Sequence, residues 1–120
     1  KWFKMKFTEL PLKGAYMIEL EPHHDHRGYF ARSFCVEEFS KHGLATNFTQ
    51  MSTSFNLKKG QIRGMHYQEV PFEETKVVRC TRGSIYDVMI DLRKDSPTFN
   101  QFYGAELSAE NGKMFYIPKG

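Results

Sequence analysis

Nine short runs of alternating or β-favouring residues, most of them bounded by Gly, Pro, Asn, Asp or Ser, limit what this 120-residue chain can fold into. They fall at residues 5–8, 15–21, 29–33, 47–54, 61–67, 76–82, 84–91, 102–107 and 113–117. Such punctuation favours a sandwich or barrel of short strands. Only residues 33–43 read as helix. There Glu37 and Glu38 come early, Lys41 and His42 late and Gly43 last, the order that the helix dipole and a left-handed C-terminal cap prefer. The expectation is an all-β chain with one short surface helix, forming a single domain over residues 1–120, long enough to bury one core.

Charge and cysteine usage remove several classes of function. The net charge of +3 is spread over interleaved acids and bases, and the longest basic run is Lys58-Lys59, so no nucleic-acid stripe is expected. A modest positive balance suits a small anionic ligand. Apolar runs last only a few residues, far below a membrane span. Cys35 and Cys80 lack metal-motif spacing and read as buried free thiols of a cytoplasmic protein.

Two glycine-bounded motifs sharpen the fold. In the first, five residues separate Gly60 from His66, and Glu73 follows. In the second, Gly112 leads through five residues to Pro118-Lys119-Gly120. The pair resembles the two cupin motifs, which implies a cupin-type jelly-roll barrel. It also places a further His and the last strands beyond Gly120, so the expected cupin domain is incomplete, with C-terminal strands missing. Cupin metal sites use two His one residue apart, which share a strand face. Here Gln68 holds the second position, and Glu73 alone cannot rebuild a ligand sphere, so neither metal nor cofactor is expected. His23, His24 and His26 lie in a turn context and converge poorly on one ion. What remains is an imidazole, His66, with Arg63 and Lys76 nearby in sequence. One base and two cations point to carbanion chemistry beside a phosphorylated ligand.

Arg63-Gly64-Met65-His66-Tyr67-Gln68 resembles a segment of the dTDP-4-dehydrorhamnose 3,5-epimerases, the cupins that make the rhamnose precursor. Further matches follow in family order: Asp25-His26-Arg27-Gly28-Tyr29-Phe30, Lys76-Val77-Val78-Arg79-Cys80, Gly83 to Val88, Asp91-Leu92-Arg93, Ser96-Pro97-Thr98-Phe99 and Leu107 to Asn111. The resemblance implies that His66 removes protons beside the C4 ketone and that Lys76 stabilises the enolate oxygen. It implies that Arg27 and Arg63 hold the diphosphate and that Gln50 contacts the substrate. Tyr29 or Phe30 would pack on the base or sugar, or serve as core or dimer-interface aromatics. Arg32 and Ser52 stand where the family carries Glu and Asn, which leaves nucleotide preference open. The family's donor Tyr, a second His and the Asp paired with the base are expected beyond Gly120, so little epimerase activity is expected of these 120 residues alone.

Strand geometry leaves two questions. In a regular strand His66 and Arg63 face opposite ways, and Gly64 is the natural place for an irregularity. In the run 84–91, Ile85, Asp87, Met89 and Asp91 share one face. Asp87 is thus either an inward supporting carboxylate in need of a partner, with His66 or Lys76 as candidates, or a solvated edge residue. The family further implies a homodimer through N-terminal strands, for which Trp2, Phe3 and Phe7 supply apolar mass. The functional alternatives are a related 3-epimerase or ketoisomerase, and a sugar-binding cupin without turnover.

Overall fold

The computed structural model describes residues 3–120, so Trp2, invoked above for dimerisation, lies outside the described residues. Eight strands and one helix follow in order: β1 (Met5–Glu9), β2 (Tyr16–Leu20), β3 (His23–Asp25), β4 (Gly28–Phe30), α1 (Val36–Lys41), β5 (Lys76–Arg79), β6 (Ser84–Ile90), β7 (Phe102–Ser108) and β8 (Lys113–Ile117). A four-stranded antiparallel sheet has the order β1-β2-β8-β5, while β3-β4 and β6-β7 form separate hairpins.

Alternation along the central strands gives the sheet two buried faces. Met17 of β2 and Phe115 of β8 point to one side, where Met89 of β6 and Leu107 of β7 close over them. Ile18, Met114 and Tyr116 point to the other, where α1 brings Phe39. The result is a layered packing of hairpin, sheet and helix. Each apolar face finds a cover, which is why both central strands read as almost continuous apolar runs.

The helix is shorter than the 33–43 expected from sequence, and its end is the better-specified part. Gly43 adopts φ +70°, donating to Ser40 O at 3.0 Å, while Leu44 N–H donates to Phe39 O at 3.0 Å. This paired closure satisfies carbonyls that the last turn would otherwise leave free. Leu44 and Phe39 then enter the same core cluster. Glu38, early in the helix, accepts the Met5 N–H at 2.9 Å and pairs with Arg32 at 3.0 Å, pinning the edge strand β1 to α1.

The sequence reading fails in the middle of the chain. Residues 47–54 and 61–67 were expected as strands, yet neither enters a sheet among the described residues, and residues 49–70 are exposed throughout. A strand gains its hydrogen bonds only from a neighbour, and an apolar pattern without a pairing edge stays irregular. Met51, Leu57 and Ile62 are left at least 86% exposed. Residues 23–25, read as turn, instead form β3, paired with β4 across a tight reversal. Cys80 is buried as expected, but Cys35 is only half-buried at the N-cap of α1; both are free thiols.

Candidate functional site

Register places two candidate residues in one space. Lys76 sits opposite Ile117, on the sheet face that also carries Val78 and Phe115 and looks toward the β6-β7 hairpin. Asp87 lies on the inward face of β6 between Ile85 and Met89, across from Ala105. The carboxylate therefore enters the layer between hairpin and sheet, and the edge-residue alternative falls away. Its Oδ2 is buried and accepts no hydrogen bond among the described residues. Burial pushes the Asp87 carboxyl above its ordinary range; the Val88 N–H and the Lys76 ammonium pull it back only in part. Lys76 itself lies 3.5 Å from Glu74 in a half-exposed pair.

The other candidates lie on exposed, irregular backbone. Gly64 has φ +91°, a conformation open to glycine, so the irregularity expected between Arg63 and His66 is present. A side chain at Gly64 would approach His66 Nδ1 to 3.1 Å. His66 and Gln50 are exposed. Arg63 donates through Nε to Asn56 Oδ1 at 2.6 Å and through Nη2 to Phe55 O at 3.0 Å. At the β3-β4 tip, Arg27 donates to Asp25 Oδ2 through Nε at 3.2 Å and Nη2 at 2.6 Å. These bonds from Arg27 hold the Asp25 carboxyl below the usual carboxylate range. Among the described residues no ion pair or side-chain hydrogen bond joins Arg27, Gln50, Arg63 or His66 to Lys76 or Asp87. The structure thus groups Lys76 with Asp87 and leaves the remaining candidates on separate segments. Tyr29 and Phe30 are 55% and 64% exposed, which removes the core reading; Phe30 packs on Phe3 and Tyr29 on His24. Among the described residues no three His, Cys, Asp or Glu side chains gather as a metal site requires, the His23 to His26 stretch included.

Sequence reasoning missed two features. Asp91 is 2% exposed and accepts from Arg93 N and Nε, Ser96 Oγ and Thr98 Oγ1 at 3.0, 2.9, 2.5 and 2.7 Å. Burial alone would raise its carboxyl, but these donors together hold it well below the usual range. Arg93 Nη2 also reaches Lys13 O at 2.7 Å, so the node ties the β6-β7 connection to the β1-β2 turn. The clustering of Asp91, Arg93, Ser96 and Thr98 within eight residues was the available signal. The second feature is charge segregation: residues 39–68 contain no Asp or Glu, while Lys41, Lys58, Lys59 and Arg63 all fall there. Charge is interleaved elsewhere, but every Lys, Arg, Asp or Glu in this stretch is a cation, which suits an anionic ligand.

Similarity to known proteins bears on the same residues. Residues 9–120 match the family described as dTDP-4-dehydrorhamnose 3,5-epimerase. The dTDP-4-dehydrorhamnose 3,5-epimerase of Methanothermobacter thermautotrophicus is 42% identical over 118 residues, covering 98% of this chain and 62% of the relative. A crystal structure of the Bacillus anthracis enzyme with TDP and PPi bound superposes with a TM-score of 0.93 at 39% identity, covering 98% of this chain and 67% of that one. The Legionella pneumophila enzyme in complex with dTDP-4-keto-L-rhamnose superposes at 0.88 with 36% identity, covering 98% and 62%. The chain spans about 60% of the length of the curated relatives it matches. With few exceptions its ordered backbone is strand, and its structural neighbours are cupin-type epimerases, so the expected fold class holds. This chain belongs to the dTDP-4-dehydrorhamnose 3,5-epimerase family.

Proposed function

We propose that the chain acts in epimerising a nucleotide-linked 4-keto-6-deoxy sugar at C3 and C5, in the manner of the dTDP-4-dehydrorhamnose 3,5-epimerases. The observation that carries this reading is that a member of that family, carrying the Arg63 to Gln68 segment, directs a cation and a carboxylate, Lys76 and Asp87, into one layer. His66 takes the proton from carbon beside the ketone, a task that suits imidazole because it titrates near neutrality. Lys76 meets the negative charge that develops on the enolate oxygen, and Asp87 supports that ammonium from the hairpin side. Arg27 and Arg63 hold the diphosphate, Gln50 contacts the ligand, and the exposed rings of Tyr29 and Phe30 offer faces for a base, a sugar or a second subunit.

The ligand class is the one named for the relatives: the Bacillus anthracis enzyme holds TDP and PPi, and the Legionella pneumophila enzyme a dTDP-4-keto sugar. The rest of the proposal is a single cupin domain, incomplete within residues 1–120, that assembles as a cytoplasmic homodimer and works without a cofactor. Among the described residues no helix is long and apolar enough to cross a membrane.

Incubation with the dTDP-linked 4-keto-6-deoxy sugar in deuterated water tests the reaction. Solvent deuterium at both C3 and C5 is the expected result in a form that turns over, and residues 1–120 alone are expected to give little conversion. Label at C3 alone would identify a 3-epimerase, and binding without exchange a sugar-binding cupin. In a form that exchanges, His66→Asn should abolish exchange while leaving ligand affinity and melting temperature nearly unchanged. Light scattering at micromolar concentration reads the dimer.

A further inference from the structure

Arg63 is braced in a way that decides which of its donors a ligand can use. A guanidinium carries five N–H donors in a planar fork. On one side Nε–H and an Nη2–H point nearly parallel; at the end, Nη1–H and the second Nη2–H form another parallel pair. In this chain the side pair is engaged, by Asn56 Oδ1 at 2.6 Å and by the Phe55 carbonyl at 3.0 Å. The end pair has no partner among the described residues. Six residues separate Asn56 from Arg63. The two bonds therefore close a short loop that turns at Gly60, φ +81°, and carries Lys58 and Lys59.

The second arginine assigned to the diphosphate is braced by different chemistry. Arg27 gives the same side pair to a carboxylate, Asp25, at 3.2 and 2.6 Å, which neutralises much of its charge. Asn56 supplies an acceptor oxygen and no charge. It orients the guanidinium and leaves the full positive charge for an incoming anion, inside the stretch of residues 39–68 that holds no acid.

We propose that Asn56 is a positioning residue: together with the Phe55 carbonyl it holds the Arg63 side pair, so that the end pair stays open to receive the diphosphate of a nucleotide-sugar. This rests on the function proposed above, and it adds a requirement for an uncharged amide at position 56. A flexible arginine loses rotamer freedom on grasping phosphate, whereas a braced one has lost it already, so the brace appears as ligand affinity.

Calorimetric titration of the full chain with thymidine diphosphate, with thymidine as the unphosphorylated control, tests it in four forms: wild type, Asn56→Ala, Arg63→Ala and the double variant. Asn56→Ala is expected to weaken thymidine diphosphate roughly tenfold, the size of a charge-assisted hydrogen bond, and to leave thymidine unchanged. In the Arg63→Ala background the same change should cost nothing further. In a form that turns over, Asn56→Ala should raise KM with kcat unchanged, because the diphosphate is held alike in ground and transition states. Asn56 is exposed, and an unchanged melting temperature excludes a folding defect. If Arg63→Ala weakens the diphosphate while Asn56→Ala does not, or if the two losses add in full, the positioning role is overturned and the proposed function stands. If Arg63→Ala leaves thymidine diphosphate binding untouched, the assignment of Arg63 fails, and the role of Asn56 falls with it.

Discussion

Asp87 and Asp91 stand four residues apart on one inward-facing row, at the middle and just beyond the end of β6, and their surroundings oppose each other. Asp91 is enclosed by donors from Arg93, Ser96 and Thr98, and its carboxyl lies well below the ordinary range. Asp87 has one buried oxygen without a donor, and burial lifts its carboxyl above that range. The difference separates two uses of a buried carboxylate. A fully satisfied one locks a connection in place, whereas an unsatisfied one costs stability and persists where chemistry needs it. On this ground Asp87, and not the better-bonded Asp91, belongs with Lys76 in the candidate site.

Asp91→Ala is expected to give the largest effect, removing the acceptor shared by three side chains. A loss of ~3 kcal/mol, read as a fall in melting temperature of roughly 10 °C, fits a broken buried charge pair with its hydrogen bonds. A change within 1 °C would show that the node is redundant. Asp87→Asn should go the other way, raising stability at neutral pH by about 1 kcal/mol because a desolvated carboxylate, one oxygen of which has no donor, is removed. In a form that turns over, the same variant should lose solvent exchange. A loss of stability with exchange intact would make Asp87 structural.

The pH dependence of the two carboxylates should differ in sign. The lowered carboxyl of Asp91 contributes stability that is present above the unfolded pKa of about 3.9 and is lost as pH falls toward its folded value. The raised carboxyl of Asp87 contributes below that unfolded pKa and loses its contribution as pH rises through its folded value. Denaturant titrations between pH 3 and 7 should therefore show the gap between wild type and Asp91→Asn closing on acidification, and the advantage of Asp87→Asn growing as pH rises. The smallest effect is expected at a surface carboxylate. Glu19 faces Lys6 at 3.9 Å across β1 and β2, and Glu19→Gln should change stability by less than ~0.5 kcal/mol.

What could be read in advance follows from how local each signal is. The run 113–117 is β8, residue for residue, and the alternation of 84–91 grouped Asp87 with Ile85, Met89 and Asp91, leaving inward or edge for the fold to decide. The Gly43 cap was legible because it needs only its own turn and a left-handed φ. Residues 47–54 and 61–67 carried equally good β patterns and are irregular. Their pattern describes a face, while a strand needs an edge to pair with. The Asn56 brace on Arg63 had no periodicity to announce it, since the six intervening residues must turn back before the two groups meet.

The sequence by itself determined the all-β class, the span of β8, the helix with its glycine end and the family to which the chain belongs. Each depends on residues near one another in the chain or on an ordered set of motifs. The tertiary structure alone decided which patterned runs became strands, which arginine donors stay open and which aspartate is satisfied. Those outcomes depend on partners brought close by folding, such as Lys13 against Arg93 or Glu38 against Met5, and no local pattern encodes a distance between segments 33 or 80 residues apart.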